Sequence, residues 1–312
     1  MNANIRNSTG RLASIVPEYF DQAADKIYLA SAQRTDIVTY KTLMVHLEPD
    51  CTNAGLLKIA GDLAERFDAR VIGIVACKPM QFDYSEGYVP ADLIEQDRKQ
   101  LEKEIKVTEA EFRNVLQARI GTLEWRSAVT FGALSEYIAR EARSADLVIT
   151  GPGSGGRLDT ARFVNIGDLV MQVGRPVLVV PAAADELKLE HFIIGWKDTR
   201  EAQRATFDAL PLLKKAAHVT VVEICAEKEI ATARTRVEDV VGWLKWHGVV
   251  AGSHASPSTG DDAGLLNAIA QKQGANMVIA GAYGHSRLRE WALGGVTRDL
   301  LLRGKNFSLL SH

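Results

Sequence analysis

The sequence contains little cysteine. Its 312 residues include only three, Cys51, Cys77 and Cys225. They form no Cys-x-x-Cys pair and have no metal-binding spacing, and an odd number cannot be paired completely. This pattern excludes a disulfide framework and predicts reduced thiols in a cytoplasmic protein.

Long apolar runs and a large net charge are also absent. No run approaches the ~18 residues of a membrane helix, and the first ten residues lack the apolar segment of a secretory signal. The net charge is -2 at pH 7, and the sequence pI is about 6.4. The charged stretch at 91–118 mixes both signs, which is typical of a solvated helix face. We therefore expect no membrane partner and no nucleic-acid partner.

Motifs that would indicate catalysis are missing as well. The sequence has no Gly-x-x-x-x-Gly-Lys-(Ser/Thr) P-loop and no His-x-x-x-His pair. Asp261 and Asp262 stand at the start of a predicted helix, where capping explains them. Trp243 and Trp246 lie three apart on a helical pattern, which favours core packing. We expect no catalytic residue and no metal site, and at most a weak ATPase.

The sequence does contain a regular alternation of apolar runs and helical patterns. Apolar runs near residues 42, 69, 124, 146 and 176 alternate with helices, and the pattern restarts at His191. Such alternation indicates parallel sheets built from βαβ units. The predicted fold class is α/β, with two doubly wound, five-stranded parallel-sheet domains. We expect an N-terminal extension at 1–37 and domains at 38–183 and 184–312.

The two halves align as an internal repeat. Asp50 falls on Asp198 and Gly151 on Gly281, and no gap is needed after Gly151. Each half would leave its last strand unpaired, which is a liability for a sheet. We therefore expect 177–180 to pair with 307–310, so that the halves form an intramolecular pseudo-dimer.

The stretch from Val278 to Leu302 carries two glycine-rich turns, one after an apolar strand and one opening a helical pattern. They are Gly281-Ala-Tyr-Gly284 and Gly294-Gly295-Val296-Thr297. Glycine allows a ligand to approach the backbone closely, and a helix N-terminus offers free N–H groups to a phosphate. Tight turns alone could also explain these glycines. In the ungapped alignment Gly284, Gly294 and Gly295 fall on Ser154, Val164 and Asn165, which predicts that only the second half keeps the loop.

This stretch resembles the universal stress protein family in its tandem, two-domain form. The family motif Gly-x2-Gly-x9-Gly-(Ser/Thr) appears as Gly281, Gly284 and Gly294, and the similarity runs from about Val38 onward. The resemblance implies a Rossmann-like, adenine nucleotide alpha hydrolase-like fold. It also implies a regulatory stress-response role with bound ATP or a related adenine nucleotide, Mg²⁺ as an accompanying cation, and a pseudo-dimer that could form a further homodimer. The family's Ser/Thr is replaced here by Gly295, and Thr297 offers the nearest hydroxyl.

The resemblance also implies a set of binding residues. Asp198 would lie on the adenosine and Ile224 at the adenine wall. The residues around the phosphates would be Gly281, Gly284, His285, Arg287, Gly294, Gly295, Val296 and Thr297. Two alternatives stay open at single residues, since Asp198 could cap the helix that begins near Thr199 and His285 could cap a turn. Two alternative functions also stay open, a ligand-free interaction scaffold with an unknown protein partner and a slow ATP hydrolase.

Overall fold

Ten strands form one sheet in a computed structural model of the protein, which describes residues 39–80, 91–153, 163–282 and 306–312. The strands are β1 (Thr42–His46), β2 (Arg70–Cys77), β3 (Leu123–Val129), β4 (Leu147–Thr150), β5 (Val177–Val179), β6 (His191–Trp196), β7 (His218–Cys225), β8 (Ala251–Pro257), β9 (Met277–Gly281) and β10 (Phe307–Ser311). Their order is β3-β2-β1-β4-β5-β10-β9-β6-β7-β8. All neighbouring strands are parallel except β5 and β10.

Helices connect the strands. They are α1 (Ala54–Phe67), α2 (Ala91–Leu116), α3 (Leu134–Glu141), α4 (Ile166–Val173), α5 (Arg200–Asp208), α6 (Leu210–Leu213), α7 (Ile230–Trp246) and α8 (Asp262–Lys272). The sequence predicts one helix from Glu201 to Leu213, but the structure divides it into α5 and α6. Pro211 lies in the first turn of α6, where its missing N–H costs nothing, although it cannot continue a helix from α5.

The predicted seam between the two halves is confirmed. Strands β5 and β10 pair antiparallel, with Ser308, Leu309 and Leu310 opposite Val179, Leu178 and Val177. The three leucines at this seam are fully buried. The prolines that flank β5 suggest a sheet edge, and β5 does end its own half, but its pairing with β10 places it inside the full sheet.

Helices cover both faces of this sheet, as the α/β prediction requires. Alternate strand residues pack against α3, α4 and α8 in one continuous apolar cluster that runs through both halves. Helices α1, α2, α5 and α7 contact the strands of both halves as well. Residues 39–312 form one compact unit. The division into domains at 183 and 184 stays a prediction, and the extension at 1–37 lies outside the described residues.

The sheet corrects the predicted repeat register by one residue in two places. Leu43 pairs with Leu147, and Phe192 pairs with Met277 at the equivalent place. Pro49 lies six residues after Leu43, and Asp198 lies six residues after Phe192. Asp198 therefore matches Pro49 rather than Asp50. Counting residues after a motif misses such a shift, because the backbone hydrogen bonds of the sheet set the register.

The second shift concerns the last strand of each half. Val148 pairs with Val177, whereas its counterpart Val278 pairs with Ser308 rather than with Phe307. The second half therefore has one additional residue between 282 and 307. The alignment after Gly151 therefore contains a gap of one residue, which falls in or beside the glycine-rich stretch.

Candidate functional site

Three of the predicted binding residues lie at one edge of the sheet. Asp198, Ile224 and Gly281 stand at or just after the carboxyl ends of β6, β7 and β9, which are neighbours in the order β9-β6-β7. The chain leaves β6 toward β7, while β9 lies on the other side of β6, so the strand order reverses between β6 and β9. Ligands of open α/β sheets bind in the crevice at such a reversal.

Asp198 is exposed and lies directly before the N-terminus of α5. It does not cap this helix. The N-cap is Thr199, whose Oγ1 accepts a hydrogen bond of 3.3 Å from the Ala202 backbone N–H. The capping alternative for Asp198 is therefore wrong, and its carboxylate is left to face the solvent next to the first turn of α5.

Gly281 is packed against that same turn. A Cβ atom added to Gly281 would lie 2.5 Å from the Ala202 nitrogen and 2.5 Å from the Glu201 carbonyl carbon. Such distances are shorter than van der Waals contact, so only glycine lets the backbone of α5 approach the end of β9 this closely. The helix N-terminus and the start of the glycine-rich stretch are thereby held side by side.

Ile224 belongs mainly to the core. Its side chain is 8% exposed and packs in the apolar cluster that α8 covers. The next residue, Cys225, ends β7, and burial together with the nearby Glu223 and Glu229 carboxylates raises the pKa of its thiol. Because a raised pKa keeps the thiol protonated near neutral pH, Cys225 is not set up as a nucleophile.

The remaining predicted site residues lie outside the described residues. They are Gly284, His285, Arg287, Gly294, Gly295, Val296 and Thr297. The described residues include one more at this edge that no sequence motif indicates. Strand β10 runs parallel to β9, and the His312 Nδ1–H donates a 3.0 Å hydrogen bond to the Ala282 carbonyl. Only the pairing of β10 with β9 brings His312 to this edge.

The equivalent edge of the first half carries different side chains. Leu43 matches Phe192 in the sheet, so His46 matches Gly195, and Thr150 stands where the second half has Ala280. His46 is buried, and its Nδ1 lies 2.9 Å from the Thr150 Oγ1. Burial lowers the pKa of His46 to about 4, so the ring is neutral near pH 7. Pro49 takes the place of Asp198 at this edge, although acidic residues flank it at Glu48 and Asp50.

Within the described part of the chain, no group of three or more His, Cys, Asp or Glu side chains is arranged to hold a metal ion. The same residues include no helix long and apolar enough to cross a membrane. Asp261 caps α8 by accepting a 2.9 Å hydrogen bond from the Gly264 backbone N–H. The capping interpretation of this acidic residue is confirmed.

Comparisons with known proteins identify the fold. No protein-family model and no curated protein matches the chain. A solved universal stress protein from Archaeoglobus fulgidus DSM 4304 matches 86% of this chain and 95% of its own, with 13% identity and a TM-score of 0.67. A structure described as a putative universal stress protein, from Pseudomonas aeruginosa UCBPP-PA14, matches 87% and 93%, with 17% identity and a TM-score of 0.58. A functionally unknown protein from Pseudomonas aeruginosa PAO1 matches 87% and 92%, with 17% identity and a TM-score of 0.56. Both halves of the chain together therefore have the fold seen in solved universal stress proteins.

Proposed function

We propose that this protein is a tandem universal stress protein that binds ATP or a related adenine nucleotide in its C-terminal half. The observation that carries the proposal is the meeting of three features at the β6–β9 reversal. The exposed Asp198, the N-terminus of α5 and the beginning of the Gly-x2-Gly-x9-Gly motif at Gly281 all lie at this edge. A helix N-terminus beside a glycine-rich turn suits a phosphate group.

In this proposal Asp198 accepts hydrogen bonds from the ribose hydroxyls, and Ile224 forms part of the adenine wall. Gly281, Gly284, His285 and Arg287 surround the phosphates. The second turn, Gly294 to Thr297, offers backbone N–H groups, with Thr297 supplying the hydroxyl that Gly295 lacks. Mg²⁺ would accompany the phosphates.

The role proposed is regulatory and cytoplasmic. Cys225 is a free thiol, as expected for a reducing compartment. Cys225 has a raised pKa, and Asp261 is used for capping. Cys225 is therefore not available as a nucleophile, and Asp261 is not available as a general acid or base. This favours a binding protein over an enzyme.

Isothermal titration with ATP tests the proposal. Gly284→Val and Gly294→Val should abolish binding, because a branched side chain blocks close approach to the backbone, while the urea-unfolding midpoint changes little. Ser154→Val is the matched control, since Ser154 lies three residues after Gly151 just as Gly284 lies three residues after Gly281, and this variant should bind ATP like the wild type. Unchanged affinity in both glycine variants would contradict the proposal.

The test also separates the alternative functions. Purified protein that carries no nucleotide and shows no thermal shift with ATP would indicate a ligand-free scaffold. Phosphate release that disappears in Gly284→Val would indicate a slow hydrolase. Gly295→Ser, which restores the family's hydroxyl, should strengthen ATP binding about fivefold if one additional hydrogen bond of about 1 kcal/mol forms.

A further inference from the structure

A cleft opens between α5 and α7, over strand β6. Helix α5 contacts mainly β9 and β10, whereas α7 contacts β7 and β8, so that β6 between them is sparsely covered. The resulting space has a volume of about 720 Å³. This volume falls in the range of ~300–1,000 Å³ that is typical of small-molecule sites.

In the first half the equivalent helices, α1 and α2, pack directly on each other. A Cβ added to Gly61 of α1 would lie 2.9 Å from the Leu116 side chain of α2. Arg119, just after α2, donates hydrogen bonds of 2.6 and 2.8 Å to Asp62 and Glu65 of α1. The helices α5 and α7 of the second half therefore differ from their counterparts in leaving a cleft between them.

Three aromatic side chains line the cleft, together with charged and polar residues. Trp196 of β6 forms the floor and is 8% exposed, while Phe207 of α5 is 49% exposed and Trp243 of α7 is 37% exposed. The predicted core position of the two tryptophans of α7 is wrong, since Trp243 lines the cleft and Trp246 is 92% exposed. An exposed aromatic surface inside a concave space is typical of a ligand site.

The arginines that line the cleft already have partners. The Arg236 guanidinium forms a bidentate pair with the buried Glu223. The Arg200 Nε lies 2.7 Å from the Glu201 Oε1, and the Arg204 Nε lies 3.5 Å from the Asp208 Oδ2. These positive charges are therefore largely neutralised within the protein.

Two carboxylates that line the cleft have no basic side chain paired closely with them. Asp198 and Asp239 line the cleft, and neither forms a close salt bridge in the described part of the chain, although Asp198 attracts the Arg236 guanidinium electrostatically. With the partners included, the three guanidinium groups of Arg200, Arg204 and Arg236 are outnumbered by five carboxylates. These belong to Asp198, Glu201, Asp208, Glu223 and Asp239. The cleft therefore carries an excess negative charge beside aromatic rings.

The floor offers a further polar group. The Trp196 indole Nε1–H is buried and has no hydrogen-bond partner among the described residues. An unpaired buried donor is unfavourable, because it has lost its hydrogen bonds to water. A ligand with one hydrogen-bond acceptor at this depth would remove that cost.

We propose that the cleft is a second ligand site, which binds a small organic cation with an aromatic or apolar body. The body would lie against Trp196, Phe207 and Trp243, and its positive charge would be held by Asp239 and Asp198. Aromatic faces attract cations, and nearby carboxylates add a Coulombic attraction. This site is separate from the nucleotide proposal except for Asp198, which stands at the border of both.

Fluorescence titration with two aromatic dyes of opposite charge tests this proposal. Berberine is a cation, and 1-anilinonaphthalene-8-sulfonate is an anion. We expect saturable berberine binding that quenches tryptophan fluorescence and weakens with added salt, and at least tenfold weaker binding of the sulfonate. Equal or tighter binding of the sulfonate, or no saturable berberine binding, would overturn the proposal.

Variants locate the dye. Trp243→Ala and Asp239→Asn should each weaken berberine binding about fivefold or more. Trp246→Ala is the matched control, because it removes a tryptophan from the same helix outside the cleft, and it should leave the affinity unchanged. Circular dichroism and urea unfolding check that all three variants are folded. An equal loss of berberine affinity in Trp246→Ala and Trp243→Ala would contradict the assignment. ATP titration of Trp243→Ala should match the wild type whichever dye result is found.

Discussion

Replacing Gly281 with alanine should destabilise the protein through one defined steric conflict. The new Cβ would lie 2.5 Å from the Ala202 nitrogen, 2.5 Å from the Glu201 carbonyl carbon and 2.8 Å from the Glu201 oxygen. These neighbours are backbone atoms of the first turn of α5, so they cannot rotate away as a side chain could. Helix α5 must move off the end of β9, or the end of the strand must shift.

The size of the effect follows from the kind of conflict. Overpacking by one carbon in a tightly packed region typically costs about 1–3 kcal/mol. Gly281 does not have a positive φ, so no additional backbone strain is expected. We predict a loss of about 2 kcal/mol in the free energy of unfolding, which corresponds to a melting temperature about 3–4 °C lower for a unit of this size.

Gly151→Ala is the matched control. Gly151 directly follows β4, the strand equivalent to β9, and a Cβ added to it would have no described atom within 4 Å. This control should stay within about 0.5 kcal/mol of the wild type. Urea unfolding followed by circular dichroism measures both variants. Equal stabilities of Gly281→Ala and Gly151→Ala would refute the close approach of α5 to β9.

Three further predictions concern the core and the seam. Because burial lowers the pKa of His46 to about 4, protonation of the unfolded state near pH 6.5 should reduce stability by up to about 3 kcal/mol as the pH falls from 6.5 to 4. His46→Gln should remove that part of the pH dependence in urea unfolding measured across this range, and an unchanged slope would argue against a neutral buried ring. Arg236→Met leaves the buried Glu223 carboxylate unpaired and should cost about 3 kcal/mol. Most of this loss should return in the double variant with Glu223→Gln, and a double variant as unstable as the single one would contradict the pairing. Finally, the isolated half 184–312 should self-associate through the exposed edge of β10, so a stable monomer in analytical ultracentrifugation would count against the seam.

The strands and the seam were predictable because they depend on local patterns. Short apolar runs separated by helical periods predict parallel strands without knowledge of their neighbours. The pairing of β5 with β10 followed from the need to cover two open edges. The pattern also indicated that the chain repeats itself, and hence that β1 and β6 are equivalent.

Details that depend on contacts between distant segments were not predictable. The alignment of Asp50 with Asp198 was wrong by one residue, because sheet hydrogen bonds rather than spacing after a strand set the register. The sequence marked Gly281 as part of a loop motif but gave no sign that α5 packs on it. The periodicity of Trp243 predicted a buried face, yet the helix that would cover it lies over β9 and β10 instead.

Native mass spectrometry of the full-length chain with ATP tests the central proposal most directly, because it counts the bound nucleotides. The proposal predicts one nucleotide per 34.1 kDa chain. It also predicts that the bound mass disappears in Gly284→Val and persists in Ser154→Val. Two nucleotides per chain, or one that survives Gly284→Val, would contradict a single site in the C-terminal half.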